Sequence, residues 1–264
     1  MTDLTLPHRL DRTVRIRADR ETVFRFFTDE GRWAAWWGAG STIDSRPGGR
    51  LLIRYPNGVE AVGEVVSVAA PEQIVFTYGY ASGQPIAPGS SRVTIRLETG
   101  AGETLLHLAH EFADDGVRDQ HVQGWRYQLS VFANAVANEI HAGAAERADA
   151  WFAAWREKDA AARAGLLESV AAPGVEFRDR YSLVEGLEEL LIYIEATQRF
   201  MPGVALHRAG EVRHCQGTAL ADWTATGADG QVIAQGTNVF ALGPDGRIQS
   251  VVGVWTPPAG SGGV

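Results

Sequence analysis

Cysteine is almost missing from this chain: Cys215 is the only one in 264 residues. An intramolecular disulfide and any metal site built from several thiolates are therefore excluded. Lysine is equally scarce. Lys158 stands alone, between Glu157 and Asp159 at what reads as a solvated helix end, and every other cationic side chain is an arginine. That argues against Schiff-base and Walker-type lysine chemistry, and the arginine bias suits a GC-rich bacterial genome. There is no excess of positive charge either. A net charge of −8 and a pI of 5.4 leave no basic field to attract nucleic acid or anionic lipid. No apolar run approaches the roughly 20 residues that span a bilayer. Met1 to His8 lacks a cationic segment leading into an apolar one, so the expectation is a cytoplasmic protein without a membrane partner. Gly-x-Ser-x-Gly and His-Glu-x-x-His do not occur, and Gly38-Ala39-Gly40 lacks the third glycine of a dinucleotide loop.

What is present is a globular composition, 45% hydrophobic and 21% charged, with length for two domains that each bury a core. The most distinctive stretch is Thr28 to Gly38, which holds Trp33, Trp36 and Trp37. Three indoles in five positions exceed what one amphipathic helix is expected to hide, so some of that surface is expected to line a cavity. The alternative is aromatic packing of a hairpin against a sheet.

The first half reads as a strand from Leu10 to Ala18, then a short helix capped by Asp19 with Val23, Phe24, Phe26 and Phe27 inward. Strands follow, broken at Pro47-Gly48-Gly49, Pro56-Asn57-Gly58, Ala70-Pro71-Glu72 and Gly100-Ala101-Gly102. Alternation is clear in Ile74/Phe76/Tyr78/Tyr80 and in Leu106/Leu108/His110/Phe112. A long helix from about Val117 to His141 closes the half, its stripe running through Val122, Trp125, Leu129, Phe132, Val136 and Ile140. Thr28-Asp29, Trp36-Trp37-Gly38, Pro47-Gly48-Gly49, Leu108 to Glu111 and His121 to Trp125 occur in the order that resembles the activator-of-Hsp90-ATPase homologue-like family, a branch of the START-like (SRPBCC) superfamily. The resemblance implies a helix-grip domain over residues 8–141 that encloses a small molecule. The family name also implies a chaperone-cofactor or stress-response role, although the chaperone-binding domain of eukaryotic members has no counterpart in the short segment before Leu10.

Ala142-Gly143-Ala144-Ala145 reads as a short joint. Helices Glu146–Lys158 and Asp159–Val170, strand Val175–Tyr181, helix Leu187–Phe200 and four strands follow, with breaks at Gln216-Gly217, Ala228 to Gly230 and Gly243 to Gly246. Trp151 to Asp159, Val175 to Asp179, Gly186 to Leu190 and Asp245 to Ile248 carry a resemblance to SnoaL-like domains of the nuclear transport factor 2-like superfamily. It implies a cone-shaped α+β barrel over 145–256, ahead of a disordered tail, 257–264. The expected architecture is thus α+β, with two different ligand cups. Domains of the second superfamily pair through exposed sheets, so a homodimer is implied by resemblance alone.

Period-two counting places Asp179 with Val175, Phe177 and Tyr181 on one strand face, and makes Asn238 the one polar side chain on the face Val232 to Leu242. A desolvated carboxylate suits a general base beside a carbonyl, and an amide can donate to the enolate oxygen. The resemblance implies the same pair, as in SnoaL-type polyketide cyclases and ketosteroid isomerases, with Trp151 where a donor tyrosine is expected. An arginine such as Arg178 or Arg199 pairing with Asp179 is the competing reading. Candidate ligand contacts are Trp33, Trp36, Trp37, Tyr78, His110 and Trp125 in the first cup, and Trp151, Trp155, Tyr181, Trp223 and Phe240 in the second. His110 and His121 are expected to meet near the first cup's mouth, with a core histidine held by Glu111 or a carbonyl as the alternative. His107 faces the other way, so no chelating pair forms. No metal and no cofactor are expected. The function expected is binding of an apolar or aromatic small molecule, with cyclase or isomerase chemistry through Asp179 as the alternative.

Overall fold

A computed structural model describes residues 5–100 and 102–256; the tail 257–264 lies outside them. The chain divides into two compact units, Met1–Glu139 and Ile140–Val264. Among the described residues it is an α+β protein with two sheets and six helices.

The first unit runs β1 (His8–Ile16), α1 (Arg20–Arg25), α2 (Glu30–Trp37), β2 (Thr42–Ile43), β3 (Arg50–Arg54), β4 (Glu60–Ala69), β5 (Gln73–Tyr80), β6 (Ser91–Thr99), β7 (Thr104–Phe112) and α3 (Asp115–Ile140). Its strands form one antiparallel sheet in the order β1-β7-β6-β5-β4-β3-β2. Asp19 caps α1 through the Thr22 N–H at 2.7 Å, and Asp29 caps α2 through the Arg32 N–H at 2.9 Å.

The tryptophan segment is that second helix, and it corrects the expectation that one helix cannot hide three indoles. Positions 33, 36 and 37 fall on one helical face, and the three side chains are only 0%, 2% and 3% exposed. Gly38 ends the helix at φ 136°, where a Cβ would collide with the Arg54 carbonyl. α3 buries Trp125, Gln128, Leu129, Phe132 and Val136. The Gln128 side-chain amide donates to the Trp36 carbonyl, joining α3 to the end of α2.

The second unit runs α4 (Ala144–Arg156), α5 (Ala160–Val170), β8 (Ala171–Arg178), β9 (Leu183–Glu185), α6 (Leu187–Phe200), β10 (Ala205–Cys215), β11 (Thr218–Thr226), β12 (Val232–Leu242) and β13 (Ile248–Trp255). The sheet order is β10-β11-β12-β13-β8-β9, antiparallel except where β13 meets β8. Trp151, Phe152, Val175, Leu190, Ile194 and Phe240 are at its core. β8 starts and stops earlier than the alternation suggests, so Asp179 and Tyr181 sit in the turn after it. The Asp179 carboxylate takes the Tyr181 N–H at 2.8 Å and the Ser182 hydroxyl at 2.6 Å, a side-chain turn that ends the strand. Tyr181 is consequently 68% exposed, not turned inward with Phe177.

Candidate ligand-binding site

Strand β5 supplies one wall of a cavity in the first unit. Ile74, Phe76 and Tyr78 alternate into the buried face, and Tyr80 continues the series half-buried. The chain then doubles back over β5, with the Tyr80 N–H donating to the Ile86 carbonyl at 2.8 Å. This approach requires Gly79, where a Cβ would strike the Ala87 carbonyl. Helix α3 supplies the facing wall. Between them lies a cavity of about 570 Å³ lined by Trp37, Tyr55, Tyr78, Tyr80, His121 and Trp125, together with Gly124, Gln128 and residues of the 57–59 and 82–85 turns. That volume is in the range of small-molecule sites, about 300–1,000 Å³. No Asp, Glu, Lys or Arg contributes to the lining.

Behind the wall, hydrogen-bond directions assign every proton of one buried chain. The Trp125 indole N–H donates to His110 Nδ1 at 2.9 Å, so the imidazole carries its hydrogen on Nε2. Nε2 stands 2.9 Å from Ser91 Oγ and donates to it, and the Ser91 hydroxyl donates to the Tyr78 carbonyl at 2.8 Å. Burial, and then neighbouring His121, hold the His110 pKa well below its ordinary value. His110 is therefore neutral, with both nitrogens occupied, and it ties α3 to β5, β6 and β7. Its partners are Trp125 and Ser91, whereas Glu111 pairs with Arg92 at 2.8 Å.

Nearer the opening, His121 Nδ1 donates to the Val117 carbonyl at 2.8 Å, which leaves Nε2 to accept from the Tyr80 hydroxyl at 3.3 Å. The Tyr55 and Tyr78 hydroxyls lie 3.0 Å apart. The His110 and His121 ring centres are 5.6 Å apart, edge to face. Of the residues singled out in the sequence, Trp37, Tyr78, His121 and Trp125 line the cavity. Trp33 and Trp36 lie deeper: their indoles donate to the Leu52 and Phe26 carbonyls at 3.3 and 3.2 Å. Tyr55 precedes a Pro-Asn-Gly turn and Ser91 opens a strand, so neither stands out in the sequence. Tyr80 has the right spacing, which alone does not separate a cavity wall from a core.

In the second unit, Asn238 on β12 is 4% exposed and Asp179 lies beside it across β13. A Cβ on Gly253 would meet Asp179 Cβ at 3.1 Å and Asn238 Oδ1 at 3.3 Å. Besides its turn contacts, Asp179 accepts the Trp255 indole N–H at 3.2 Å. No arginine pairs with it among the described residues. Trp255 packs edge to face on Trp223 and Tyr181, at 5.1 and 5.4 Å. Trp151 lies among Trp155, Phe177 and Phe240. The buried N–H groups of Trp151, Trp155 and Trp223 find no acceptor among the described residues. A separate concavity of about 610 Å³ between α4 and β10 is a polar furrow whose Arg208 is paired with Asp149 and whose Arg156 donates to the Leu206 carbonyl.

Among the described residues, no three His, Cys, Asp or Glu side chains are placed to hold a metal ion, and no helix is long and apolar enough to cross a membrane. Residues 17–137 match the family model described as "Activator of Hsp90 ATPase homolog 1-like protein". Solved structures similar to the chain include a SnoaL-like family protein from Agrobacterium tumefaciens, 28% identical over 45% of this chain and 99% of that one, with a TM-score of 0.42. CalU16 from Micromonospora echinospora is 25% identical over 55% of this chain and 86% of its own, with a TM-score of 0.42. The Aha1 dimer from Colwellia psychrerythraea is 16% identical over 46% and 90%, with a TM-score of 0.39. No curated protein matches the chain. Within the N-terminal half, residues 17–137 thus resemble the activator of Hsp90 ATPase homologue 1-like family.

Proposed function

We propose that the first unit, read as a START-like helix-grip domain over residues 8–141, binds an apolar, aromatic small molecule between β5 and α3. The observation that carries this reading is the cavity of about 570 Å³, walled by aromatic side chains and free of formal charge. Gly124 provides the test. It lines the cavity from helix α3, and a Cβ there meets nothing within 4 Å. A Gly124→Phe substitution therefore places a ring in the opening without disturbing the helix, where glycine is the poorer residue. Prodan, an uncharged solvatochromic dye, is expected to shift its emission to the blue on binding the native chain. The Gly124→Phe protein is expected to lose that shift while unfolding at no lower temperature. An identical dye response in both proteins would reject the site.

The second unit, read as a SnoaL-like cone over 145–256, supports a second reading: proton transfer at a carbon next to a carbonyl, with Asp179 as base and Asn238 as donor to the oxygen. The observation in its favour is that Asp179 has no arginine partner among the described residues and flanks Gly253 together with Asn238. Hydrogen–deuterium exchange of an enolisable ketone, followed by NMR, measures it. Asp179→Asn is expected to slow any catalysed exchange by about 10² to 10⁴; exchange no faster than in buffer would remove the reading.

A further inference from the structure

We propose that the ligand of the first cavity is an uncharged arene bearing a hydroxyl group, which joins the row of polar atoms formed by Tyr55, Tyr78, Tyr80 and His121. This rests on the cavity reading above and names the chemical class it takes.

Charge is decided by what the wall lacks. A carboxylate or ammonium group entering this space would shed water and meet no counter-ion, since none of the lining side chains carries formal charge. The Tyr55 and Tyr78 phenols do not become anions either. Burial pushes Tyr55 up to about 12 and raises Tyr78 further. Burial also lowers His121, against the Val117 hydrogen bond, so its Nε2 stays an acceptor.

The hydroxyl is decided by what the wall offers. Tyr80 gives its hydrogen to His121 Nε2, so the remaining lone pairs of the Tyr80 oxygen can accept. Within the Tyr55–Tyr78 pair, Tyr78 donating to Tyr55 leaves the Tyr55 hydrogen to give away, whereas in the reverse sense the Tyr78 hydrogen is taken up by the neighbouring Tyr80 oxygen. In the first sense the lining offers a guest both a donor and an acceptor. A hydrocarbon satisfies neither, and an ether or ketone satisfies only the donor. A hydroxyl satisfies both, while Trp37 and Trp125 supply aromatic faces for the ring that carries it.

Naphthol, naphthalene and naphthoate have the same ring system and differ only in this group. Titrated into the full chain and followed by tryptophan fluorescence, naphthol is expected to bind about tenfold more tightly than naphthalene, the worth of one or two good hydrogen bonds. Naphthoate is expected to bind more weakly than both. Tyr80→Phe combined with His121→Leu removes the accepting oxygen together with the Nε2 that would take its place, and should shrink the naphthol-to-naphthalene affinity ratio, measured on the same variant, toward one. Tyr55→Phe combined with Tyr78→Phe removes both hydroxyls of the donating pair, should shrink the same ratio, and covers the case in which the first variant loses stability. The proposal is overturned if naphthol and naphthalene bind equally, if naphthoate binds as well as naphthol, or if both variants retain the preference. If none of the three compounds binds, the cavity reading itself fails and takes this proposal with it.

Discussion

Replacing Trp33 by alanine is expected to destabilise the first unit by about 3–5 kcal/mol, as other fully buried tryptophans do. The indole is 0% exposed. It touches Trp36, Trp37 and Phe76, with ring centres 5.3, 5.6 and 5.9 Å away. Its N–H donates to the Leu52 carbonyl. Removal loses the transfer energy of the ring, opens a void beside two more indoles and takes one hydrogen bond from the Leu52 carbonyl. Val66, 50% exposed on β4, is the control: alanine there should change stability by no more than about 0.5 kcal/mol. Thermal unfolding followed by near-ultraviolet circular dichroism reads both. A Trp33→Ala protein within about 1 kcal/mol of the native one would mean that the three tryptophans are not interlocked as described.

The second large effect is acid lability. Burial lowers the pKa of His110, His121, His141 and His214 from the ordinary value of 6.5, that of His141 to about 4. For His141 the smaller causes are His214 and the Arg147 guanidinium, with Asp245 opposing them. The folded chain thus binds fewer protons than the unfolded one between the lowered pKa values and 6.5. Stability is complete above that value and falls as the pH drops through the window, by up to about 1.4 kcal/mol per pH unit for a fully buried histidine such as His110 and by less for the part-exposed His121 and His214. Urea denaturation between about pH 7 and pH 4 should show this loss. His141→Gln should flatten the slope, because one buried imidazole no longer titrates. Stability unchanged down to about pH 4.5 would contradict the assigned neutral states.

Much of the architecture was readable because its signals are periodic. The alternation Ile74/Phe76/Tyr78/Tyr80 and the α3 stripe through Trp125, Leu129, Phe132 and Val136 depend only on local geometry, and both elements form where the pattern places them. The tryptophan segment was harder to read. The spacing 33, 36, 37 is helical, but whether a single face can bury three indoles depends on what lies opposite: Phe76, Phe132 and Trp125, brought from distant parts of the chain. Asp179 was misplaced for a related reason. Its side chain competes for backbone N–H groups and stops the strand, which counting by twos does not register. The phenol row was invisible as a unit, since Tyr55, Tyr80 and His121 converge only through sheet register and helix docking.

Neutrality of the cavity wall also bears on how a guest arrives. A guest without charge feels no pull from the chain's net charge, so nothing accelerates its encounter beyond diffusion and orientation. Added salt has no steering force to screen, so uptake should proceed at the same rate in dilute buffer and in concentrated electrolyte. On the binding role proposed above, selection takes place after entry, through fit and hydrogen bonding, and not through long-range attraction.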